Sequence, residues 1–75
     1  MSKAKFYHAG CSVCVSAEQD MTSLIGKDNV EVIHLGEVKN RIQEAESAGV
    51  KSVPALVTET GNVLHINFGA SIQDV

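Results

Sequence analysis

The chain has 75 residues, of which 44% are hydrophobic and 20% charged, a composition ordinary for a globular domain. Its net charge is −3 and its six lysines and arginines are scattered, so no basic stripe indicates nucleic-acid binding. No apolar run approaches the roughly 20 residues that a membrane span needs, and the N-terminal residues lack a secretory apolar core. We therefore expect one domain over residues 1–75, in the cytoplasm, without nucleic-acid or membrane partners.

The two cysteines, Cys11 and Cys14, are three residues apart. A disulfide between them would close a very short loop and would remove little entropy from the unfolded chain. Small secreted domains that depend on disulfides normally contain more of them. The spacing therefore favours chemistry at the pair over structural cross-linking.

The first elements are a strand and a helix. Residues 3–8 predict a strand, because Phe6 and Tyr7 favour extended structure, and Gly10 ends it. A helix then begins at or near the cysteines and ends at Gly26, since apolar residues recur at helical spacing. The predicted apolar face comprises Cys14, Ala17, Met21, Leu24 and Ile25.

A second strand and a second helix follow. Residues 30–35 are rich in valine and isoleucine and predict a strand. Residues 40–48 predict a helix, although Glu37 is an alternative start, and Gly49 ends it. Asn40 and Gln43 have the spacing of a capping box at its beginning.

The last part of the chain predicts a β-hairpin. Residues 50–54 are predicted to be a connector. Strands are predicted over residues 55–59 and 63–68, with a glycine-containing turn between them, and Gly69 ends the second strand. The predicted order is β-α-β-α-β-β. Its first two strands should pair in parallel and its last two in antiparallel fashion.

The segment Gly10-Cys11-Ser12-Val13-Cys14 lies where the first strand gives way to the first helix. The unpaired amides and dipole of a helix N-terminus stabilise a thiolate and lower its pKa. We therefore expect Cys11 to be the nucleophile at the exposed end. Cys14 shares the apolar face with Ala17, which makes it the expected resolving thiol.

Two other interpretations of the cysteines stay open at this point. They are two small buried residues at a helix start, or they form part of a metal site with His8 as a third ligand. A structural zinc site needs four ligands, and the sequence offers no evident fourth.

Three features together resemble the thioredoxin/glutaredoxin superfamily. They are Phe6-Tyr7 followed by the Cys-x-x-Cys segment, the stretch Gly49-Val50-Lys51-Ser52-Val53-Pro54, and the element order. The resemblance implies a cis peptide bond before Pro54 and a substrate that pairs with the backbone of Val53. It also places Ser12 and Val13, the residues between the cysteines, against the substrate.

The resemblance implies a thiol–disulfide oxidoreductase that needs no metal or organic cofactor. Its partners would be a disulfide-bearing protein or glutathione, the latter as co-substrate, together with a reductase that the sequence does not identify. The alternatives are a copper or zinc chaperone that uses His8, Cys11 and Cys14, and a non-catalytic peptide-binding module on the same fold. Small copper chaperones follow a different order, β-α-β-β-α-β.

The sequence departs from the family in several places. The residues between the cysteines are neither Gly-Pro nor Pro-Tyr, and Lys5 stands where thioredoxin has a buried acid. We also expect the family's C-terminal helix to be missing or truncated. We therefore expect one sheet face to lack its usual cover, with a homodimer as one way to complete it. His65 and Asn67 alternate with apolar residues in the last strand, which predicts that their face is the uncovered one.

Overall fold

A computed structural model describes residues 3–10 and 12–75, with the backbone alone for residues 67–69. Its elements follow the predicted β-α-β-α-β-β order. They are β1 (Ala4–His8), α1 (Ser12–Ile25), β2 (Val30–His34), α2 (Ile42–Ala48), β3 (Ser52–Val57) and β4 (Val63–Ser71). Short 3-10 turns flank them at Lys27–Asn29, Lys39–Arg41 and Ile72–Asp74.

The strands form a four-stranded sheet in the order β2-β1-β3-β4. β1 and β2 pair in parallel, as expected for strands joined by a crossover helix, and the register aligns His8 with His34. The other neighbouring strands are antiparallel. This arrangement is the thioredoxin-like α/β fold that the sequence predicts, with a single 3-10 turn after β4.

Each face of the sheet carries one helix. Side chains alternate between faces along a strand, so Phe6 and Tyr7 project to opposite sides. Phe6 packs in a cluster with Ala17 of α1, whereas Tyr7 packs in a second cluster with Ala45 of α2. The two aromatic side chains are at most 1% exposed, so β1 forms the centre of both apolar layers.

The apolar face predicted for α1 is correct except at its end. Cys14 and Ala17 are buried, and Met21 and Ile25 pack against the Phe6 cluster. Leu24, in contrast, is 78% exposed. Ile25 reaches the core from an adjacent position on the last turn, and Leu24 is left facing solvent.

The second helix starts differently from the prediction. Asn40 lies inside the 3-10 turn Lys39–Arg41, and α2 begins only at Ile42. Arg41 occupies the N-cap position and makes no side-chain cap hydrogen bond, so the expected Asn40–Gln43 capping box is wrong. The predicted end is correct, because Gly49 adopts a left-handed conformation with φ 104° and its N–H donates to the Glu46 carbonyl.

Both hairpin strands are longer than predicted. β3 begins at Ser52 and so includes Pro54, which the sequence placed in a connector. The β3–β4 register shifts between Val53 and Ala55, and such irregularities accommodate a residue that lacks a backbone N–H. β4 passes through Gly69 to Ser71, because the beginning of β3 supplies it with pairing partners.

The uncovered sheet face is not the predicted one. His65 is exposed, but on its face the neighbouring Val63 and Ala55 belong to the cluster beneath α2. On the other face Leu64 is 51% exposed. The side chain of Asn67, the other residue of the predicted open face, lies outside the described part of the structure. The expectation that polar residues mark the open face is therefore wrong, and the apolar Leu64 lies there instead.

A polar network attaches α2 to the sheet. The buried Tyr7 hydroxyl donates to Glu44 Oε2 at 2.6 Å, and Arg41 donates to both oxygens of the same carboxylate at 3.1 and 2.9 Å. Arg41 also donates to Glu31 of β2 at 3.0 Å, and Lys5 Nζ lies 3.5 Å from Glu44. The hydrogen bonds from Arg41 and then from Tyr7 lower the pKa of Glu44 to about 2.

This network predicts part of the acid sensitivity of the fold. A carboxylate whose pKa is depressed on folding stabilises the protein above its unfolded pKa, and the contribution is lost as pH falls toward the folded value. Glu44→Gln should therefore lower the free energy of unfolding at pH 7 by up to about 1 kcal/mol, a value reduced by solvent screening. It should also flatten the decline between about pH 5 and pH 2 in urea titrations. The matched control is Glu46→Gln on the exposed side of α2, and an equal loss in both variants would contradict the assignment.

Candidate functional site

The Cys-Ser-Val-Cys segment leads directly into α1. The helix begins at Ser12, so Ser12, Val13 and Cys14 form its first turn, and the helix starts near the cysteines as predicted. No acidic residue occupies the first turn, so no carboxylate there opposes a negative charge. Ser12 is exposed and Val13 half-buried, while the predicted nucleophile, Cys11, lies outside the described residues.

Cys14 faces inward. Its side chain is fully buried and belongs to the same cluster as Tyr7, Ile33 and Val53. The position agrees with the apolar periodicity that assigned it to the inner face of the helix. Cys14 thus contributes a buried sulfur on the first turn of α1.

Val53 and Pro54 lie at the same end of the sheet as the cysteine segment. The described pairing between β1 and β3 ends at Tyr7 and Ala55, and the strands are antiparallel. The chain after Tyr7 and the chain before Ala55 therefore continue side by side. The Val53–Pro54 peptide bond is cis, the geometry that the resemblance implied, and the Val53 side chain is fully buried.

Two grooves adjoin this end of the molecule. The first has a volume of about 300 Å³ and runs between α1 and β4, where it is lined by Ser12, Val13 and Ile66 among others. The second, of about 450 Å³, lies where β3 begins and is lined by Lys51, Ser71 and Gln73 among others. The Ser71 Oγ accepts a hydrogen bond from the Gln73 N–H at 3.3 Å, which fits an N-cap role for Ser71.

The sequence did not lead us to predict His34 as a residue of the candidate site. His8 and His34 are direct partners at the ends of β1 and β2, and their ring centroids are 4.6 Å apart. The predicted parallel pairing of the first two strands already implied this contact, because parallel strands of a βαβ unit align their C-terminal ends. The first helix begins at that same edge, so both histidines lie beside the cysteine segment.

The environment of His8 bears on the metal-binding alternative. His8 Nδ1 accepts a hydrogen bond from the Gly10 N–H at 3.3 Å, and Nε2 lies 3.4 Å from Glu18 Oε1. Both ring nitrogens are thus engaged by protein groups. Within residues 3–10 and 12–75, no group of three or more metal-ligating side chains comes together. The metal site suggested by His8, Cys11 and Cys14 includes Cys11 and is not tested by these residues.

The close approach of Gly36 to His34 yields a prediction for stability. A Cβ atom at Gly36 would lie 2.8 Å from His34 Cε1, so Gly36→Ala should destabilise the protein by about 1–3 kcal/mol through overpacking. His34→Ala should remove most of that penalty, which a double-mutant cycle in urea measures as a coupling energy.

The matched control for this cycle is Gly61→Ala. A Cβ atom at Gly61 meets nothing within 4 Å, but the backbone there has a φ of 92°, so the substitution is costly for a reason that does not involve His34. Its cost should therefore not respond to His34→Ala. Additive effects of Gly36→Ala and His34→Ala would contradict the packing.

Within the described residues, no helix combines the length and apolar character needed to cross a bilayer. No protein-family model matches the chain, and no curated protein matches it either. A solution NMR structure of a dimeric thioredoxin-like protein from Nitrosomonas europea is 63% identical, with a TM-score of 0.86. The match covers 97% of this chain and 92% of that one. The chain therefore belongs to the thioredoxin-like family.

Proposed function

We propose that the protein is a thiol–disulfide oxidoreductase that works through Cys11 and Cys14. The observation that carries the proposal is that Ser12, Val13 and Cys14, the residues that directly follow Cys11 in the sequence, form the first turn of α1, and that Cys14 is buried. A helix N-terminus without acidic residues favours a thiolate at the preceding position. The membership in the thioredoxin-like family supports the same chemistry.

The exchange has two steps. The Cys11 thiolate attacks one sulfur of a disulfide, forms a mixed disulfide with it, and expels the other sulfur as a thiolate that takes up a proton. Cys14 then loses its proton and attacks the Cys11 sulfur, which releases the second substrate thiol. The substrate disulfide is reduced to two thiols, while Cys11 and Cys14 become a disulfide.

The surroundings suggest how a substrate would be held. Val53 and Pro54 belong to the part of β3 that extends past the β1 pairing, so an extended peptide could add its backbone there. Ser12 and Val13 line the groove on the other side of the segment. We propose that these four residues contact the substrate.

The reduced state must be restored by two further thiols, which become a disulfide as the Cys11–Cys14 disulfide is reduced. We propose either a reductase or glutathione for this step, with the cytoplasm as the compartment, since thiols are kept reduced there. The groove lined by Lys51, Ser71 and Gln73 offers one cation and two polar side chains to an anionic tripeptide, although the carboxylate of Glu46 lines it as well and balances that charge. No metal or organic cofactor is needed for the exchange itself.

A second proposal concerns assembly, and the exposed apolar residues support it. Val32, Phe6, Leu56 and Leu64 are successive partners across the sheet. Phe6 and Leu56 are buried beneath α1, but Val32 is 37% and Leu64 51% exposed at the two edges. Ile66, next to Leu64 on the same face, lines the groove beside α1.

We propose that a second copy of the chain packs on the Leu64–Ile66 edge and forms a homodimer. The apolar surface there would be buried by association, which the hydrophobic effect favours. The Nitrosomonas europea protein, which is 63% identical, is described as dimeric. The exposed apolar residues and the dimeric relative both favour a second copy of the chain as the partner at this edge.

The redox proposal predicts distinct behaviour for the two cysteine variants. With dithiothreitol as reductant and insulin as substrate, Cys11→Ser should reduce turnover to the uncatalysed background, because the attacking thiolate is gone. In a separate reaction without dithiothreitol, Cys14→Ser that has been reduced beforehand should accumulate a mixed disulfide at Cys11, visible by mass spectrometry, because resolution is blocked. Ser23→Ala, on the exposed face at the far end of α1, is the control and should retain wild-type turnover.

Three outcomes would contradict the redox proposal. One is a wild-type protein without turnover that binds Cu(I) stoichiometrically, which favours the metal chaperone. Another is a wild-type protein that binds peptides without reducing disulfides, which favours the non-catalytic module. Turnover that survives Cys11→Ser would also exclude Cys11 as the nucleophile.

The dimer proposal predicts that Leu64→Lys dissociates the protein. Sedimentation velocity should show a dimer for the wild type and a monomer for this variant, because burial of an unpaired ammonium is costly. Leu24→Lys is the matched control, since Leu24 is 78% exposed on α1 and should tolerate the charge without dissociation. A wild type that sediments as a stable, folded monomer would refute the proposal, and so would a dimer that Leu64→Lys leaves intact.

A further inference from the structure

His8 and His34 form a close pair at the edge of the sheet that leads into the cysteine segment. The two rings are inclined at 58° with centroids 4.6 Å apart, and the Phe6 ring stacks on His8 at 5.8 Å. His8 is only 5% exposed. The exchange proposed above assigns neither histidine a role.

The hydrogen bonds of His8 fix its protonation state. Because Nδ1 accepts from the Gly10 N–H, this nitrogen carries no proton. The proton of the neutral ring therefore lies on Nε2, which faces Glu18 Oε1 at 3.4 Å. A second proton would have to occupy Nδ1, and the Gly10 N–H would then face a donor instead of an acceptor.

His34 holds the same segment by packing. A Cβ atom at Gly10 would lie 2.6 Å from His34 Nε2, and one at Gly36 would lie 2.8 Å from Cε1, so the ring fits between two glycines. His34 Nδ1 is buried and finds no hydrogen-bond partner among the described residues. A buried polar atom without a partner is costly, which favours a functional reason for keeping a histidine here.

We propose that the His8–His34 pair holds the Gly10 backbone, and hence the entry to Cys11, only while His8 is neutral, and that protonation of His8 releases it. The proposal rests on the oxidoreductase function and adds a pH-dependent control to that site. Gly10 directly precedes Cys11, so any movement of its backbone is passed along the chain to the nucleophile. The pair acts through Gly10, as positioning residues.

The groups around His8 set the direction of the control. Burial lowers the pKa of His8 from its ordinary 6.5, and the neighbouring His34 acts in the same sense. Glu18 of α1 and Glu37 of the turn after β2 act in the opposite sense. The ring is thus neutral and the Gly10 hydrogen bond intact at neutral pH, while release requires a pH below the range in which histidine ordinarily titrates.

The first test measures exchange of the Gly10 amide hydrogen with water by NMR, corrected for the intrinsic pH dependence of exchange. One neutral hydrogen bond slows exchange roughly two- to tenfold. His8→Phe, which has no acceptor, should therefore accelerate Gly10 exchange by that factor at pH 7. His8→Gln supplies a carbonyl acceptor that does not titrate, so it should restore protection at pH 7 and keep it in acid.

The second test follows alkylation of Cys11 by iodoacetamide as a function of pH. The wild-type profile should show an additional inflection where His8 titrates, and His8→Gln should lack it. Glu18→Gln should move the inflection to lower pH, because the carboxylate that favours the charged ring is gone. His65→Gln on β4 is the matched control and should leave both profiles unchanged.

The outcomes separate this inference from the proposed function. Equal Gly10 exchange in the wild type and His8→Phe would overturn the inference, and so would an alkylation profile that His8→Gln leaves unaltered. Either result is compatible with full disulfide turnover. Conversely, a protein that shows these pH effects but reduces no disulfide would contradict the oxidoreductase proposal and leave the histidine control of Gly10 standing.

Discussion

The parallel pairing of β1 with β2 is the constraint on which the rest of the structure depends. Two parallel neighbours require a crossover, and here α1 provides it. The register that joins Ala4 to Val30 and His8 to His34 brings the ends of both strands to one edge. The start of α1 lies at that edge too, so the fold itself gathers a helix N-terminus and two imidazoles where β1 ends.

Burial on both faces of β1 attaches both helices to the central strand. Phe6 packs beneath α1 and Tyr7 beneath α2, so neither helix can shift without exposing an aromatic ring. The buried Tyr7 hydroxyl donates a hydrogen bond to the Glu44 carboxylate, which also accepts a hydrogen bond from Arg41. A buried hydroxyl without a partner would be costly, so the carboxylate contributes to packing as well as to charge balance.

Local sequence signals predicted those features that depend on neighbouring residues. The helix start at the cysteines, the stop at Gly49 and the turn before β4 are set by residues close in the chain. Pro54 inside β3 and the passage of β4 through Gly69 depend instead on pairing between residues such as Val53 and Ala70. No local pattern encodes such pairing. The contact between His8 and His34 differs, because the predicted parallel pairing of β1 and β2 already implied it.

The open face of the sheet shows why alternation alone was misleading. The polar residues in β4 suggested that their face of the sheet is exposed to solvent, but the positions of the helices determine which face is exposed. α1 covers the centre of its face and leaves Leu64 at the edge half-exposed, while Ile66 reaches the groove that Ser12 and Val13 also line. Because one helix bounds this groove and also carries the cysteine segment, a subunit seated on Leu64 would stand beside the proposed substrate contacts. Assembly and access to the thiols would then share a single surface.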